Sequence, residues 1–171
     1  EEDMDEAQSS GQEVIPIVID SFGGGAYAVL GMIASVQACK KPVATILTSK
    51  AMSAGACLFT FGTEGYRFMH PEAHLMIHDV GSHTGGKIEE IKVDTFHLEA
   101  LNHRMYERLS VHIGKEPTFL LNMIKEKHHH CDWFLNAKEA KKLNIANHLT
   151  IPRFEVNLKL DVNFVFDSKN K

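Results

Sequence analysis

The segment VIPIVID, at Val14–Asp20, is apolar almost throughout, is rich in β-branched residues and leads into a run of three glycines at Gly23–Gly25. Short runs of this kind are typical of strands that are buried on both faces of a parallel sheet. Glycines favour a tight turn after the strand, because they adopt backbone conformations that other residues reach only at a cost. Since helices must cover a parallel sheet, this segment predicts an α/β fold.

The rest of the chain alternates between strands and helices, as that fold requires. Hydrophobic periodicity predicts strands at 43–47, 66–69 and 74–77 and helices at 27–38, 52–61, 86–113, 117–127 and 138–143. The helix at 86–113 is the longest and lies outside the alternation. We therefore expect it to project from the fold as an arm.

Both ends of the chain differ in composition from the part between them. Residues 1–13 are acidic and polar, which indicates a flexible lead-in or a surface loop. Residues 151–166 carry apolar side chains at alternate positions, the pattern of a half-exposed strand. The sequence thus predicts one folded domain at 14–150, followed by a C-terminal strand or tail at 151–171.

Composition and charge limit the partners that the chain can have. The 171 residues have a formal net charge of −4, whereas proteins that bind nucleic acid usually present a basic face. No apolar run approaches the roughly 18 residues of a membrane span, and no signal peptide is visible. We expect neither nucleic acid nor a membrane as a partner.

The cysteines and histidines do not suggest a metal or another cofactor. Cys39, Cys57 and Cys131 are too few and too widely spaced for a disulfide framework or a CxxC site. Reduced thiols of this kind are typical of cytoplasmic proteins. The three histidines at 128–130 are consecutive, and consecutive residues rarely converge on one ion. We expect a solvated insertion there.

The segment SKAMSAGA, at Ser49–Ala56, places Ser53 where a predicted strand turns into a helix. A hydroxyl needs a neighbouring base, and donors for the oxyanion, before it acts as a nucleophile at neutral pH. Small neighbouring residues allow a tight turn, and a helix N-terminus directs N–H groups towards negative charge. A serine at this place can also be an ordinary helix cap, so the motif alone does not identify a nucleophile.

Two further motifs accompany this serine. The run Gly23–Gly25 lacks the GxGxxG spacing and the P-loop lysine of nucleotide-binding loops. Its backbone could instead supply one donor of an oxyanion hole. In LMIHDV, His78 ends an apolar strand, where it is either a hydrogen-bonded structural residue or a general base.

Together these motifs resemble those of the Clp protease proteolytic subunit family, serine peptidases with a crotonase-like (ClpP-type) α/β fold. The family's strand and SPGG element corresponds to IDSFGGG, its ASMGA nucleophile motif to MSAGA at 52–56, and its MIH motif to 76–78. The motifs follow one another in the order and spacing of the family. The resemblance covers roughly residues 14–149.

The resemblance implies a role for each matching residue. Ser53 would attack the peptide carbonyl, and His78 would accept its proton and pass it to the leaving amine. The N–H groups of Gly24 and Ala54 would hold the oxyanion. The stretch CDWFLNAKEA matches the segment that carries the family's catalytic acid, which implies Asp132 for that role.

Two other carboxylates remain alternatives for the acid. Asp79 adjoins the base, but adjacent residues of a strand point to opposite faces. Asp94 lies in the predicted arm.

The chain departs from the family's motifs at three positions. The proline of SPGG is Phe22 here, the proline two residues after the histidine is Val80, and the arginine before the acid is Cys131.

The resemblance further implies a serine endopeptidase for extended or unfolded polypeptides, which would bind as an added strand beside Gly24. It implies no cofactor, a homo-oligomeric ring (a heptamer or a tetradecamer) and an AAA+ ATPase as a partner. The alternatives are a non-catalytic ring subunit of this fold, a viral capsid-maturation or signal-peptide-type peptidase of this fold, and a crotonase that handles acyl-CoA.

Overall fold

A computed structural model describes residues 2–82, 85–127, 129 and 132–155, without the side chains of residues 2 and 127. Its strands are β1 (Ile15–Ser21), β2 (Val43–Met52), β3 (Arg67–Met69), β4 (His74–Ile77) and β5 (Trp133–Asn136). Its helices are α1 (Glu2–Ser9), α2 (Ala26–Ala38), α3 (Ala54–Thr60), α4 (Ile88–His112), α5 (Phe119–Asn122) and α6 (Ala137–Lys142). A π-helical segment (Met123–Lys127) continues α5. The predicted α/β fold is confirmed.

The strands of the described residues form one mixed sheet. β1 pairs with β2 in parallel, and β2 is long enough to pair with both β3 and β4 along its other edge. β4 then pairs with β5 in the antiparallel direction, with Ile77 opposite Trp133. This register brings the carboxyl end of β4 beside the amino end of β5.

The core lies between the sheet and the helices that cover it. Ile33 of α2, Leu47 of β2, Phe59 of α3, Leu75 of β4 and Leu109 of α4 are all buried in one cluster. Burial of a side chain of this size stabilises a fold by about 1.5–3 kcal/mol. The sheet ends that carry the candidate site are therefore held by a continuous apolar core.

The predicted arm is confirmed as α4, and its two halves differ in burial. Large apolar side chains of the N-terminal half are exposed, namely Ile88, Ile91, Val93 and Phe96. Those of the C-terminal half are buried in the core, namely Leu101, Met105, Tyr106 and Leu109. The C-terminal half is thus part of the fold, while the N-terminal half projects from it.

The first residues differ from the flexible lead-in or loop predicted for 1–13, because they form α1. Although this segment is acidic, it contains two apolar side chains, Met4 and Ala7, that pack against the buried cluster between β1, β2 and α2. The Oε1 atom of Gln8 also accepts the backbone N–H of Lys40, at 3.0 Å. These contacts hold the helix on the domain despite its charge.

The C-terminal prediction falls mostly on residues 156–171, outside the described residues. Residues 151–155 have no regular secondary structure, so the predicted strand does not begin at 151. The predicted helix at 117–127 is present as α5 and the π-helical segment that follows it.

A buried arginine closes the side of the fold near the end of α4. The Arg67 side chain is fully buried, and its guanidinium donates to the carbonyl oxygens of Gly62, Asn144 and Ile145 and to the Glu64 carboxylate. These acceptors compensate the charge, as a buried cation requires.

His112 lies next to this network, and its environment predicts a loss of stability in acid. Burial lowers the pKa of His112, and the nearby positive charge of Arg67 acts in the same direction. The unfolded chain then binds a proton more readily than the folded protein. The free energy of unfolding should decrease as pH falls below about 6.5, the ordinary pKa of histidine. Urea unfolding at several pH values measures this decrease.

The matched variant is His112→Gln, which keeps an N–H donor for the Gly62 oxygen but does not titrate. We expect a weaker dependence on pH below about 6.5 in this variant than in the original protein. An equal dependence in both proteins would mean that another group causes the acid sensitivity.

Candidate active site

Ser53 occupies a strained turn between β2 and α3. Its backbone angles are φ 54° and ψ −120°, which a residue with a side chain rarely adopts and which typically cost about 1–3 kcal/mol. The Ser53 N–H donates to the Met76 oxygen of β4 at 2.8 Å, and the Ser53 oxygen accepts the Cys57 N–H of α3 at 3.1 Å. Sheet and helix together thus hold this turn.

The glycine turn after β1 packs directly against the serine turn. Gly23 has φ 107°, and a Cβ atom there would lie only 2.8 Å from both the Met52 oxygen and the Ser53 Cβ atom. A side chain at this position would force the two turns apart. The Gly23 N–H also donates to the Ser21 hydroxyl at 3.0 Å, which fixes the conformation after β1.

His78 follows the last residue of β4 and faces Ser53. Its Nε2 atom lies 2.8 Å from the Ser53 Oγ atom, within ordinary hydrogen-bond distance. The parallel pairing of β2 with β4 places Met52 opposite Met76, so Ser53 and His78 continue from neighbouring strand ends. The two motifs identified in the sequence therefore meet in space.

Asp132 lies on the other side of the imidazole. Its Oδ1 atom is 3.3 Å from the Nδ1 atom of His78, and its side chain is 55% exposed while that of His78 is 31% exposed. The antiparallel pairing of Ile77 with Trp133 brings the residues next to them together. Serine, imidazole and carboxylate thus follow one another in the order of a Ser-His-Asp triad.

The alternative carboxylates lie elsewhere. The Oδ1 atom of Asp79 accepts the Tyr106 hydroxyl of α4 at 2.8 Å. Asp94 is exposed in the projecting half of α4. Of the three candidates, the structure brings Asp132 within salt-bridge distance of the His78 ring.

Gly24 and Ala54 line the same pocket as Ser53 and His78. Because α3 begins at Ala54, the first N–H groups of that helix have no carbonyl partner within it. The position that a Cβ atom would occupy at Gly24 is also open, since no atom outside Gly24 and its two chain neighbours lies within 4 Å of it. A substrate carbonyl could therefore approach the backbone of both residues.

The pocket beside Ser53 has a volume of about 280 Å³ and a mainly apolar lining. Its far wall comes from α4, which contributes residues at helical spacing, namely Asn102, Met105, Tyr106 and Leu109. The sequence analysis assigned no functional role to these four residues. Their positions in the sequence, one, three or four residues apart, do indicate that they share one face of a helix. What the sequence does not show is that this helix face turns towards Ser53.

The described residues contain no group of three or more histidine, cysteine, aspartate or glutamate side chains that could hold a metal ion. His128, His130 and Cys131 lie outside the described residues. Within the described part of the chain, no helix has both the length and the apolar character needed to cross a bilayer.

The fold and the site together place the protein in the class of α/β domains that hold a serine, a histidine and a carboxylate at the ends of adjoining strands. Residues 5–152 match the family model for Clp protease. The chain therefore belongs to the Clp protease family, which confirms the resemblance found in the sequence, and its fold is of the ClpP type.

Curated relatives agree with this assignment. The ATP-dependent Clp protease proteolytic subunit 1 of Salinibacter ruber is 30% identical over 142 residues, which are 83% of this chain and 58% of that protein. The protein of the same name from Bifidobacterium longum is 31% identical over 143 residues, 83% of this chain and 59% of the relative. That of Rhodopirellula baltica is 28% identical over 137 residues, 80% and 58% of the two chains. The chain thus spans less than two thirds of the length of these relatives.

Proposed function

We propose that this protein is a serine endopeptidase in which Ser53 is the nucleophile, His78 the general base and Asp132 the acid that orients the base. The observation that carries the proposal is the line of contacts through the imidazole, 2.8 Å from Nε2 to the Ser53 Oγ atom and 3.3 Å from Nδ1 to the Asp132 Oδ1 atom. Membership of the Clp protease family supports the same chemistry.

The proposed reaction has two stages. The Ser53 oxygen attacks the peptide carbonyl while His78 takes the hydroxyl proton on Nε2, and the imidazolium then gives that proton to the leaving amine. Water, deprotonated by His78, next attacks the acyl ester, and the imidazolium returns that proton to the Ser53 oxygen as the new carboxyl end is released. In both stages the N–H groups of Gly24 and Ala54 stabilise the tetrahedral oxyanion. Asp132 holds the Nδ1–H tautomer and stabilises the imidazolium.

The proposed substrate is an extended or unfolded polypeptide. A peptide strand beside Gly24 would form backbone hydrogen bonds that do not depend on sequence. The pocket next to Ser53 would accept one side chain, and its lining by Val29, Ile77, Met105 and Leu109 favours an apolar one.

We extend the proposal to assembly into a homo-oligomeric ring. The curated relatives are called proteolytic subunits of an ATP-dependent protease, which supports both subunit contacts and an ATPase partner. The apolar side chains on the projecting half of α4 are exposed in the single chain, and contacts with other subunits would cover them.

Labelling with a fluorophosphonate probe tests the proposed chemistry, and Cys57 provides an internal control. Cys57 lines the same pocket, but burial raises the pKa of its thiol to about 12, which keeps the thiol protonated at neutral pH and lowers its reactivity. We expect the probe to modify Ser53 and to stop hydrolysis of a fluorogenic peptide. Iodoacetamide should leave both Cys57 and the hydrolysis unchanged.

Peptide mapping by mass spectrometry identifies the modified residue in each case. Inactivation by iodoacetamide with modification of Cys57 would show only that the pocket is blocked. A fluorophosphonate adduct on another residue, with Ser53 unmodified, would contradict the assignment of Ser53 as the nucleophile.

A further inference from the structure

The two residues that follow His78 both form hydrogen bonds with side chains of α4. The Val80 N–H donates to the Asn102 Oδ1 atom at 2.7 Å, and the Tyr106 hydroxyl donates to the Asp79 Oδ1 atom at 2.8 Å. Asn102 and Tyr106 are four residues apart and therefore lie on one face of the helix. The segment between β4 and α4 thus has two attachments directly after the imidazole.

These attachments come from the buried part of α4. Tyr106 is only 2% exposed, and its neighbours Met105 and Leu109 belong to the main core. Residues 78–82, by contrast, have no regular secondary structure of their own. The side chains of a packed helix therefore fix the position of a segment that lacks a backbone ladder.

The hydroxyl of Tyr106 is suited to this attachment. Burial raises the pKa of Tyr106, and the hydrogen bond to Asp79 and the charge of that carboxylate raise it further. The phenol therefore stays protonated at neutral pH, where it donates its hydrogen bond to Asp79.

The attachment at Val80 constrains a residue whose backbone is otherwise adjustable. A proline at this position would fix φ and would have no N–H group. Valine leaves φ adjustable and has an N–H that needs an acceptor at this half-buried position. Asn102 supplies that acceptor, so its side chain restrains the backbone by a hydrogen bond.

We propose that Asn102 and Tyr106 are positioning residues that keep the His78 imidazole aligned between Ser53 and Asp132. The inference rests on the proposed peptidase function and adds the residues that hold its base. A displacement of a catalytic group by about 1 Å can lower a rate by about 100-fold. Since the imidazole must face partners on both sides, loss of either attachment should affect the chemical step more than substrate binding.

Steady-state hydrolysis of a short fluorogenic peptide tests this proposal through the separate values of kcat and KM. Asn102→Ala should lower kcat by about 10- to 100-fold and change KM by less than about threefold. Tyr106→Phe should lower kcat in the same way. The rate of fluorophosphonate labelling of Ser53 should decrease by a factor similar to that in kcat.

Val80→Pro provides a background protein in which the hydrogen bond to Asn102 is already absent. Proline removes the N–H that Asn102 accepts and fixes φ, so adding Asn102→Ala to Val80→Pro should cost less than about threefold in kcat. Arg108→Ala is the matched control, because it removes another α4 contact, the 2.8 Å hydrogen bond to Gln37. We expect kcat of this variant to equal that of the original protein.

The outcomes separate the two proposals. If the original protein neither hydrolyses peptide nor labels at Ser53, the proposed function is wrong. If it does both, the positioning proposal is overturned by any of three results: an unchanged kcat in Asn102→Ala, a rise in KM in place of the fall in kcat, or an equal loss from Asn102→Ala with and without Val80→Pro. Circular dichroism shows which variants fold. If Asn102→Ala does not fold, Tyr106→Phe tests the proposal by itself.

Discussion

Ser53→Ala is expected to abolish peptide hydrolysis while the protein stays folded. Without the Oγ atom, His78 has no hydroxyl to deprotonate and no acyl ester forms. What remains is the effect of the oxyanion hole and of binding, about 10³–10⁴ above the uncatalysed rate, so the loss should be at least about 10⁴-fold. Hydrolysis of a fluorogenic peptide and thermal unfolding, measured on the same preparation, give the two results.

Ser53→Gly is the matched variant, because it removes the same oxygen and also the backbone strain. At φ 54° and ψ −120° a Cβ atom is unfavourable, whereas glycine adopts such angles readily. Both variants should be inactive, and the glycine variant should be the more stable of the two by about 1 kcal/mol. Undiminished turnover in a folded Ser53→Ala protein would eliminate Ser53 as the nucleophile.

Local sequence patterns were enough to predict the two turns of the site, whereas the roles of Ser53 and His78 came from the resemblance to the family. The apolar run before Gly23 and the small residues around Ser53 both indicate a strand followed by a sharp turn, and the structure has such turns at both places. The contact between Ser53 and His78 depends on the pairing of β2 with β4, which brings the carboxyl ends of two parallel strands together at one edge of the sheet.

The strand β5 was not predicted, although its burial alternates in the way that a strand requires. Trp133 and Leu135 are buried while Phe134 and Asn136 are exposed, but four residues are too short a stretch to stand out against the helix that follows. The antiparallel pairing of β5 with β4 is what places Asp132 beside His78. Similarity to the family identified Asp132 from the sequence, whereas hydrophobic periodicity did not.

Two further differences between the prediction and the structure also depend on contacts between residues that are distant in sequence. β2 continues to Met52, although the prediction ended at residue 47, because pairing with β4 extends the strand through the polar positions 48–50. The wall of the pocket comes from α4, and the register of a long helix against a sheet depends on packing that single-sequence periodicity does not specify.

Asp132→Asn is expected to lower kcat by between about 10² and 10⁴ while the protein still folds. The carboxylate can only accept a hydrogen bond from Nδ1–H, whereas an amide can present its NH₂ group and so favour the tautomer in which Nε2 carries the proton. That tautomer cannot accept the Ser53 proton. The lower limit reflects the exposure of Asp132, which is 55%, because solvent weakens the interaction of the carboxylate with the imidazolium.

Two matched substitutions at the alternative carboxylates show whether the loss is specific to Asp132. Asp94→Asn lies in the projecting half of α4 and should leave kcat unchanged. Asp79→Asn should cost no more than a few-fold, because the amide oxygen still accepts the Tyr106 hydroxyl that the carboxylate accepts at 2.8 Å. The comparison uses kcat for the fluorogenic peptide and the rate of fluorophosphonate labelling. If Asp132→Asn also costs only a few-fold while Ser53 still labels, the proposed triad reduces to a pair formed by Ser53 and His78.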